Sequence, residues 1–439
     1  MVDKLDPVIR GNMNMRKLVF ALAFFLALGL VEALDRQATA SSWPRFRGPN
    51  GTGIAADTNI PLRWTDRDIL WKTAIPGVGH SSPIVWGEHI FVQSASKDGK
   101  ERLLLCLSLS DGKIVWSRSI AGTGAHTHPL NNLASSTPAT DGQRVYAVFW
   151  DGDQVWLYAY DFQGNLVWKR LLGGFTSQHG VGASPILYQN KVYLLYDQDG
   201  AAEVVALDAG TGKPVWRAPR PPFRACYSTP MILERPGEAP ELIVVSTSGI
   251  TSYNPDSGSE NWNFTWTFDG MPLRTVASPV ISEGLLFASS GDGDGSRHMI
   301  VVKASGKGEI SKTNLAWQEK KTFPYVPSML IYGKHLYAVN DRGIATCHVA
   351  ATGEPVWNER LGNAFFASPV LIDGKIYAIN ENGTAYVFEA APTFKLLAKN
   401  VVGEPVKATP AVADNRLLIR GSQHLFCICK PAEKRASAR

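Results

Sequence analysis

Cysteine is scarce in this chain and comes late: 439 residues hold five, and none precedes Cys106. An odd number excludes a fully paired disulfide framework. Cys106, Cys347, Cys427 and Cys429 fall in apolar, strand-like runs, which reads as buried free thiols. Adjacent cysteine pairs and a C-x-x-C-H haem attachment site are missing. Excess charge of one sign is missing as well. The 44 Lys and Arg stand against 39 Asp and Glu, a net charge of +5, with no basic run and no interleaving of basic and aromatic residues. That excludes the electrostatic footprint of a nucleic-acid binder. Catalytic signatures are absent too: the chain has no H-E-x-x-H, no G-x-S-x-G and no glycine-rich phosphate loop opening a helix.

Long apolar stretches are limited to one, residues 18–31, too short to span a bilayer comfortably. Arg16 and Lys17 precede it. Small-residue cleavage sites follow at Val31-Glu32-Ala33 and Ala38-Thr39-Ala40. Residues 1–40 are therefore expected to be a start-site extension and signal peptide, with an uncleaved anchor as the lesser alternative, leaving a periplasmic or secreted protein without stable membrane insertion once the signal is removed. No cysteine stands near either cleavage site to accept a lipid.

What the chain has in abundance is a repeat. Ser/Thr-Pro steps recur at Pro83, Pro138, Pro185, Pro230, Pro279, Pro369 and Pro410, with a variant at Val326-Pro327-Ser328, at intervals of 41 to 55 residues. Each is followed by β-branched and aromatic runs such as KVYLL and KIYAI, separated by Gly, Asp and Asn turns. A helical period does not compete anywhere. Four short strands per unit at a period of ~45 residues is the pattern of a propeller blade. The predicted fold is all-β, an eight-bladed β-propeller of four-stranded antiparallel blades. A Trp ends most units (Trp116, Trp168, Trp216, Trp262, Trp317, Trp357), and in five of these six a Gly stands four residues earlier, where a tight hairpin needs positive φ. The last unit lacks its Trp strand, whereas Ile69-Leu70-Trp71-Lys72 precedes the first unit. That N-terminal strand is expected to complete the last blade and remove an exposed edge. The seven Trp, Trp71 included, are expected to dock between blades. Residues 41–63, with WPRFRGPNGTG, should form an irregular strap packed on the ring, the propeller should run over 64–430, and 431–439 should be a polar tail.

The segment ALDAGTGKPVW (206–216) resembles the A-x-D-x-x-x-G-x-x-x-W docking repeat of the pyrroloquinoline-quinone (PQQ)-like propellers, with CHVAATGEPVW and CLSLSDGKIVW as degenerate copies. The chain is similar to bacterial PQQ-binding-like repeat proteins grouped with the outer-membrane assembly factor BamB. WPRFRGP, GKGEI (306–310) and LLIRGSQHLFCI (417–428) resemble a subgroup typical of planctomycete-type bacteria. The resemblance implies a periplasmic interaction scaffold with envelope protein partners, expected to be a monomer. A small-ligand-binding propeller or a PQQ-dependent dehydrogenase-like quinoprotein is the alternative and ranks below, because the inserts and cysteine pair of such enzymes are missing. No cofactor is expected; PQQ and Ca²⁺ belong to the lower-ranked reading.

Candidate site residues come from the connections entering each blade. His80, His126, His128, Asn131 and His179 arise from the first three units, and Arg224, Arg274, Tyr325 and Lys407 from later ones. Together they would form a channel mouth lined with imidazole and positive charge, suited to an anionic ligand or a peptide. The competing reading is solvated loop residues that cap their own turns. No metal site is claimed, since three histidines on separate loops must converge within ~2.1 Å of one point to hold Zn²⁺. In GDGDGSRH (291–298), Asp292 and Asp294 are oxygen donors of the type Ca²⁺ takes, but without the later Glu of an EF-hand; a plain hairpin is favoured there.

Overall fold

The computed structural model describes residues 42–430 apart from 222, 223, 272 and 321. The expected signal segment, the first strap residue and the polar tail lie outside the described residues. Strands account for nearly all regular structure, with three short 3-10 turns among the described residues. They form eight sheets, one per repeat, each a four-stranded antiparallel meander ordered from the axis outward. Blade 3 is typical, with strands Ile186–Tyr188, Lys191–Tyr196, Ala202–Asp208 and Pro214–Arg220. The two middle strands of a blade are covered on both faces and read as continuous apolar runs. The outermost strands alternate, as in Ile114–Ala121, where Trp116 is buried between exposed neighbours. The core therefore lies between blades: Phe91 and Leu104 of blade 1, for example, pack with Val145 and Tyr158 of blade 2.

Ring closure follows the sequence. Ile69–Ala74 pairs antiparallel with His424–Ile428, placing Trp71 opposite Cys427 and completing blade 8 with the N-terminal strand. All five cysteines are buried free thiols.

The seven Trp form a girdle at the blade junctions. Trp71, Trp116, Trp168, Trp216, Trp317 and Trp357 each donate the indole N–H to a backbone carbonyl of the following blade, at 2.8–3.0 Å. The glycine four residues before a Trp meets the ring of the preceding blade. Gly212 has φ +66° and a Cβ there would lie 2.5 Å from Trp168; Gly112, Gly164, Gly258 and Gly353 stand in the same relation to Trp71, Trp116, Trp216 and Trp317. Glycine is thus required twice, by the turn and by the close approach of an aromatic face. Trp262 departs from the rule. It is followed by blade 5, where Thr313 stands in place of this glycine, and its N–H donates to the Glu241 carboxylate at 2.7 Å. Gly308–Glu309, from GKGEI, leaves blade 5 to pair in parallel with Trp262-Asn263 as a fifth strand of blade 4.

The strap does more than pack on the ring; it crosses the axis. Trp43 pairs with Val85 of blade 1, and the Pro44 carbonyl accepts from Thr140 of blade 2. Arg45 donates to the Pro230 carbonyl, Asn50 exchanges hydrogen bonds with Ile232, and Arg47 donates to the carbonyls of Ser328 and Met329. Ile54-Ala55 then joins the innermost strand of blade 7 in parallel. Inner strands of blades 1, 2, 4, 6 and 7 are tied by one segment. Blade 7 has no Trp on its outer strand; Trp64 is buried in the cluster shared by blades 7, 8 and 1, its backbone N–H bonded to Asn400.

One repeat is aligned differently from the sequence expectation. In blade 6 it is Ser328, followed by Met329, that occupies the Ser/Thr-Pro position, because Ser328 makes the hydrogen bonds of that position to both neighbouring blades. The repeat is marked by the hydroxyl, and Pro327 lies one residue before it.

Candidate functional site

Eight Ser or Thr residues of the Ser/Thr-Pro steps come together around the axis, where each inner strand begins. The backbone N–H of Ser82 donates to the Thr137 hydroxyl, Thr137 to Ser184, Thr229 to Ser278, Ser278 to Ser328, Ser328 to Ser368, Ser368 to Thr409 and Thr409 back to Ser82, at 2.9–3.1 Å. Seven of eight junctions are joined by this collar. A serine or threonine is needed because the N–H of a residue before proline has no strand partner here and the short hydroxyl reaches it.

Above the collar lies a cavity of about 210 Å³, open on one face and reached by residues of every blade, with Phe46 of the strap among its walls. Of the residues singled out from sequence, His80, His128, Asn131, His179, Tyr325 and Lys407 line it. His126 is exposed outside it, and Arg224 and Arg274 stand behind its wall. Arg224 is ion-paired to Asp292 at 2.8 Å, and Arg274, almost fully buried, donates to the Gln178 side chain. The expected positive lining is therefore partly neutralised. The GDGDGSRH segment is a hairpin whose carboxylates are engaged, Asp292 by Arg224 and Asp294 by Ser296.

The histidines are not equivalent. His128 and His179 meet with ring centroids 4.4 Å apart, and the Asn131 amide locks the two loops by donating to the His179 carbonyl at 2.7 Å. Burial, then Arg274, His128 and Arg224, lower the His179 pKa to about 4. His80 sits over the buried Arg420 and near Lys407; burial first and these two cations next bring its pKa down to about 3. Both are neutral imidazoles at physiological pH. Burial raises the Tyr325 phenol to about 12, so it stays protonated and able to donate. Lys407 lies 5.1 Å above the Phe366 ring and 3.3 Å from Glu381.

Below the cavity the axis is cationic. Arg45, Arg47 and Arg420 are buried, and burial lowers each to a pKa of about 9, still charged at neutral pH. Carbonyls solvate them: Arg47 contacts those of Gly51, Thr52, Ser328 and Met329, and Arg420 those of Ser81 and Gln93. Among the described residues none of the three has a carboxylate within ion-pair distance.

The sequence reading passed over Phe46, Tyr227, Phe366 and the hydroxyls of the collar. The signal for the hydroxyls was present, since each precedes the proline that marked the repeat or, in blade 6, stands in its frame.

A Ca²⁺–quinone assembly does not fit this cavity. No Asp or Glu is among its lining residues, so Ca²⁺ would find no anionic ligand. Among the described residues no cluster of three or more His, Cys, Asp or Glu is arranged to hold a metal ion, and no helix is long and apolar enough to cross a membrane.

Fold and cavity together define a strap-plugged, eight-bladed PQQ-like propeller with one axial recess. The chain belongs to the family described as outer membrane protein assembly factor BamB, whose model matches residues 62–221, 156–316 and 316–392. It is 29% identical over 215 residues to the BamB of Moranella endobia, a match covering 47% of this chain and 44% of that protein. It spans about half the length of the curated relatives it matches. Among solved structures, BamB from Moraxella catarrhalis is similar at a TM-score of 0.58 and 14% identity, covering 82% of this chain and 98% of that one. A europium-containing methanol dehydrogenase is similar at 0.66 and 14%, covering 88% and 90%. At these identities the likeness to both structures is one of fold.

Proposed function

We propose that this protein is an exported interaction propeller that serves the assembly of outer-membrane proteins, the role named for its relatives, and that it works without catalysis by seating a segment of an envelope partner in the axial recess. The observation that carries this reading is the recess itself: residues from all eight blades converge on one open cavity, and Phe46 of the strap stands in its wall. Loops held by a rigid ring are where propellers place recognition. Family membership supports the envelope as the setting.

The test is capture of outer-membrane assembly components from the envelope fraction of the source cell, with the parent and with the triple variant His80→Ala, His128→Ala, His179→Ala. The triple variant should melt within a few degrees of the parent and lose most of the captured material. A folded variant that captures everything the parent does would show that the recess is not the docking place.

A further inference from the structure

The collar hydroxyls are only half used. Ser82, Thr137, Ser184, Ser368 and Thr409 each accept a neighbour's N–H, yet among the described residues none donates its own proton to a protein acceptor. All five are at least 95% buried and line the cavity, as does Thr229. A hydroxyl carries one donor and two acceptor sites, so accepting from an N–H leaves the O–H to be given elsewhere. Around one axis this makes a set of donors with no hydrogen-bonded protein acceptor among the described residues.

Charge says what the donors face. The lining has one formal cation, Lys407, and no carboxylate, while Arg420, Arg45 and Arg47 lie buried beneath it on carbonyls alone. Lys407 does have Glu381 at 3.3 Å, but that carboxylate lies outside the lining. Apolar and aromatic side chains, Phe46, Phe366, Val276, Val326 and Leu130, share the rest of the wall with neutral polar ones, His80, His128, Asn131, Ser135, His179, Tyr227 and Tyr325. Hydroxyl donors, one lysine and aromatic rings in a single cavity, with Lys407 beside the Phe366 ring, fit an anion joined to a compact apolar body, because charge-assisted hydrogen bonds take the anion and the rings take the rest.

We infer that the recess binds a carboxylate carried on a compact apolar body, its oxygens held by the collar hydroxyls and Lys407 and its body against Phe46 and Phe366. This rests on the recess being the docking place and specifies what docks. The same chemistry is offered by a free small acid or by the C-terminal carboxylate of a partner chain.

Calorimetric titration separates these. Benzoate is compared with benzamide, and the tripeptide Ala-Ala-Leu with a free C-terminus is compared with its amide. The acid of at least one pair should bind tenfold or more tightly than its amide; benzoate alone marks a small acid as the source, the free peptide alone marks a chain terminus. Lys407→Gln should weaken the acid at least tenfold at unchanged melting temperature, and Lys407→Arg should recover most of that loss. Ser368→Ala, which removes one donor, should weaken it severalfold. The inference is overturned if acid and amide bind alike, if neither acid binds, or if Lys407→Gln leaves affinity untouched. Failure here with partner capture intact removes the ligand chemistry and leaves the docking reading standing. Acid binding that survives while the triple histidine variant captures as the parent does removes the docking reading instead.

Discussion

Two concentric rings hold this propeller together, and they differ in how completely their polar groups are used. In the outer girdle every one of the seven docking indoles has an acceptor, six of them carbonyls of the next blade and one a carboxylate. In the inner collar seven N–H groups are satisfied by hydroxyls whose own protons are not claimed by any acceptor among the described residues. The outer ring lies at dry contacts between sheets, where an unmade hydrogen bond costs the full desolvation of the group. The inner ring opens on a cavity, where water or a ligand can complete what the protein leaves open. Saturation marks the region built for stability, and spare donor capacity marks the region available for binding.

The largest effect should come from removing the strand that closes the circle of blades. Deleting residues 64–75 removes Trp71 and exposes the His424–Ile428 edge, so the product should aggregate or melt without cooperativity, as read by light scattering and calorimetry. A monomer of parental stability would mean that ring closure contributes nothing. Breaking the outer ring alone is milder. Trp168→Ala should cost about 3–5 kcal/mol in chemical denaturation, as large buried aromatics do. Gly212→Ala should cost about 2–3 kcal/mol, through its left-handed backbone and the Trp168 ring it would strike. Trp262→Phe should cost more than Trp216→Phe, because it deprives a buried carboxylate rather than a carbonyl of its donor; Arg235 and Ser252, which also bind Glu241, limit the difference.

The inner ring responds to pH. His80 is held near pKa 3 against an ordinary 6.5, so between these values the unfolded chain binds a proton that the folded chain does not. Stability therefore falls as pH drops from neutrality toward 3, by up to about 2 kcal/mol at pH 5 from this residue. His80→Gln should flatten that part of the melting-temperature profile; an unchanged profile would place His80 in open solvent. The smallest effect is expected from Ser184→Ala, about 1 kcal/mol or less, since the orphaned Thr137 N–H borders a cavity that water can enter. A loss as large as that of Trp168→Ala would erase the distinction between the rings.

Much of this was legible residue by residue. The repeat, the number of blades, the closing strand and the glycine four positions before five of the docking Trp all follow from local demands: strand period, turn φ and an aromatic at a fixed offset. These leave a periodic trace in one dimension. The departures had a trace as well, since Trp262 precedes the one unit of its kind without the glycine. The recess was legible only in part. His80, His128, Asn131, His179, Tyr325 and Lys407 were expected at one mouth and share a cavity, whereas His126 points away and Arg224 and Arg274 lie behind the wall with partners from other loops.

What the sequence determined by itself is each blade: four strands, their turns and, in seven of the eight, the Trp that docks it. Only the tertiary structure decided the route of the strap through the axis, the frame of the sixth repeat on Ser328, and the conversion of a repeat marker into a ring of hydroxyl donors. The physical reason is range. A turn or a strand is settled by residues a few positions apart, but collar neighbours lie 40 to 55 residues apart and the ring closes across 327. Their meeting depends on how eight blades tilt and close around one axis.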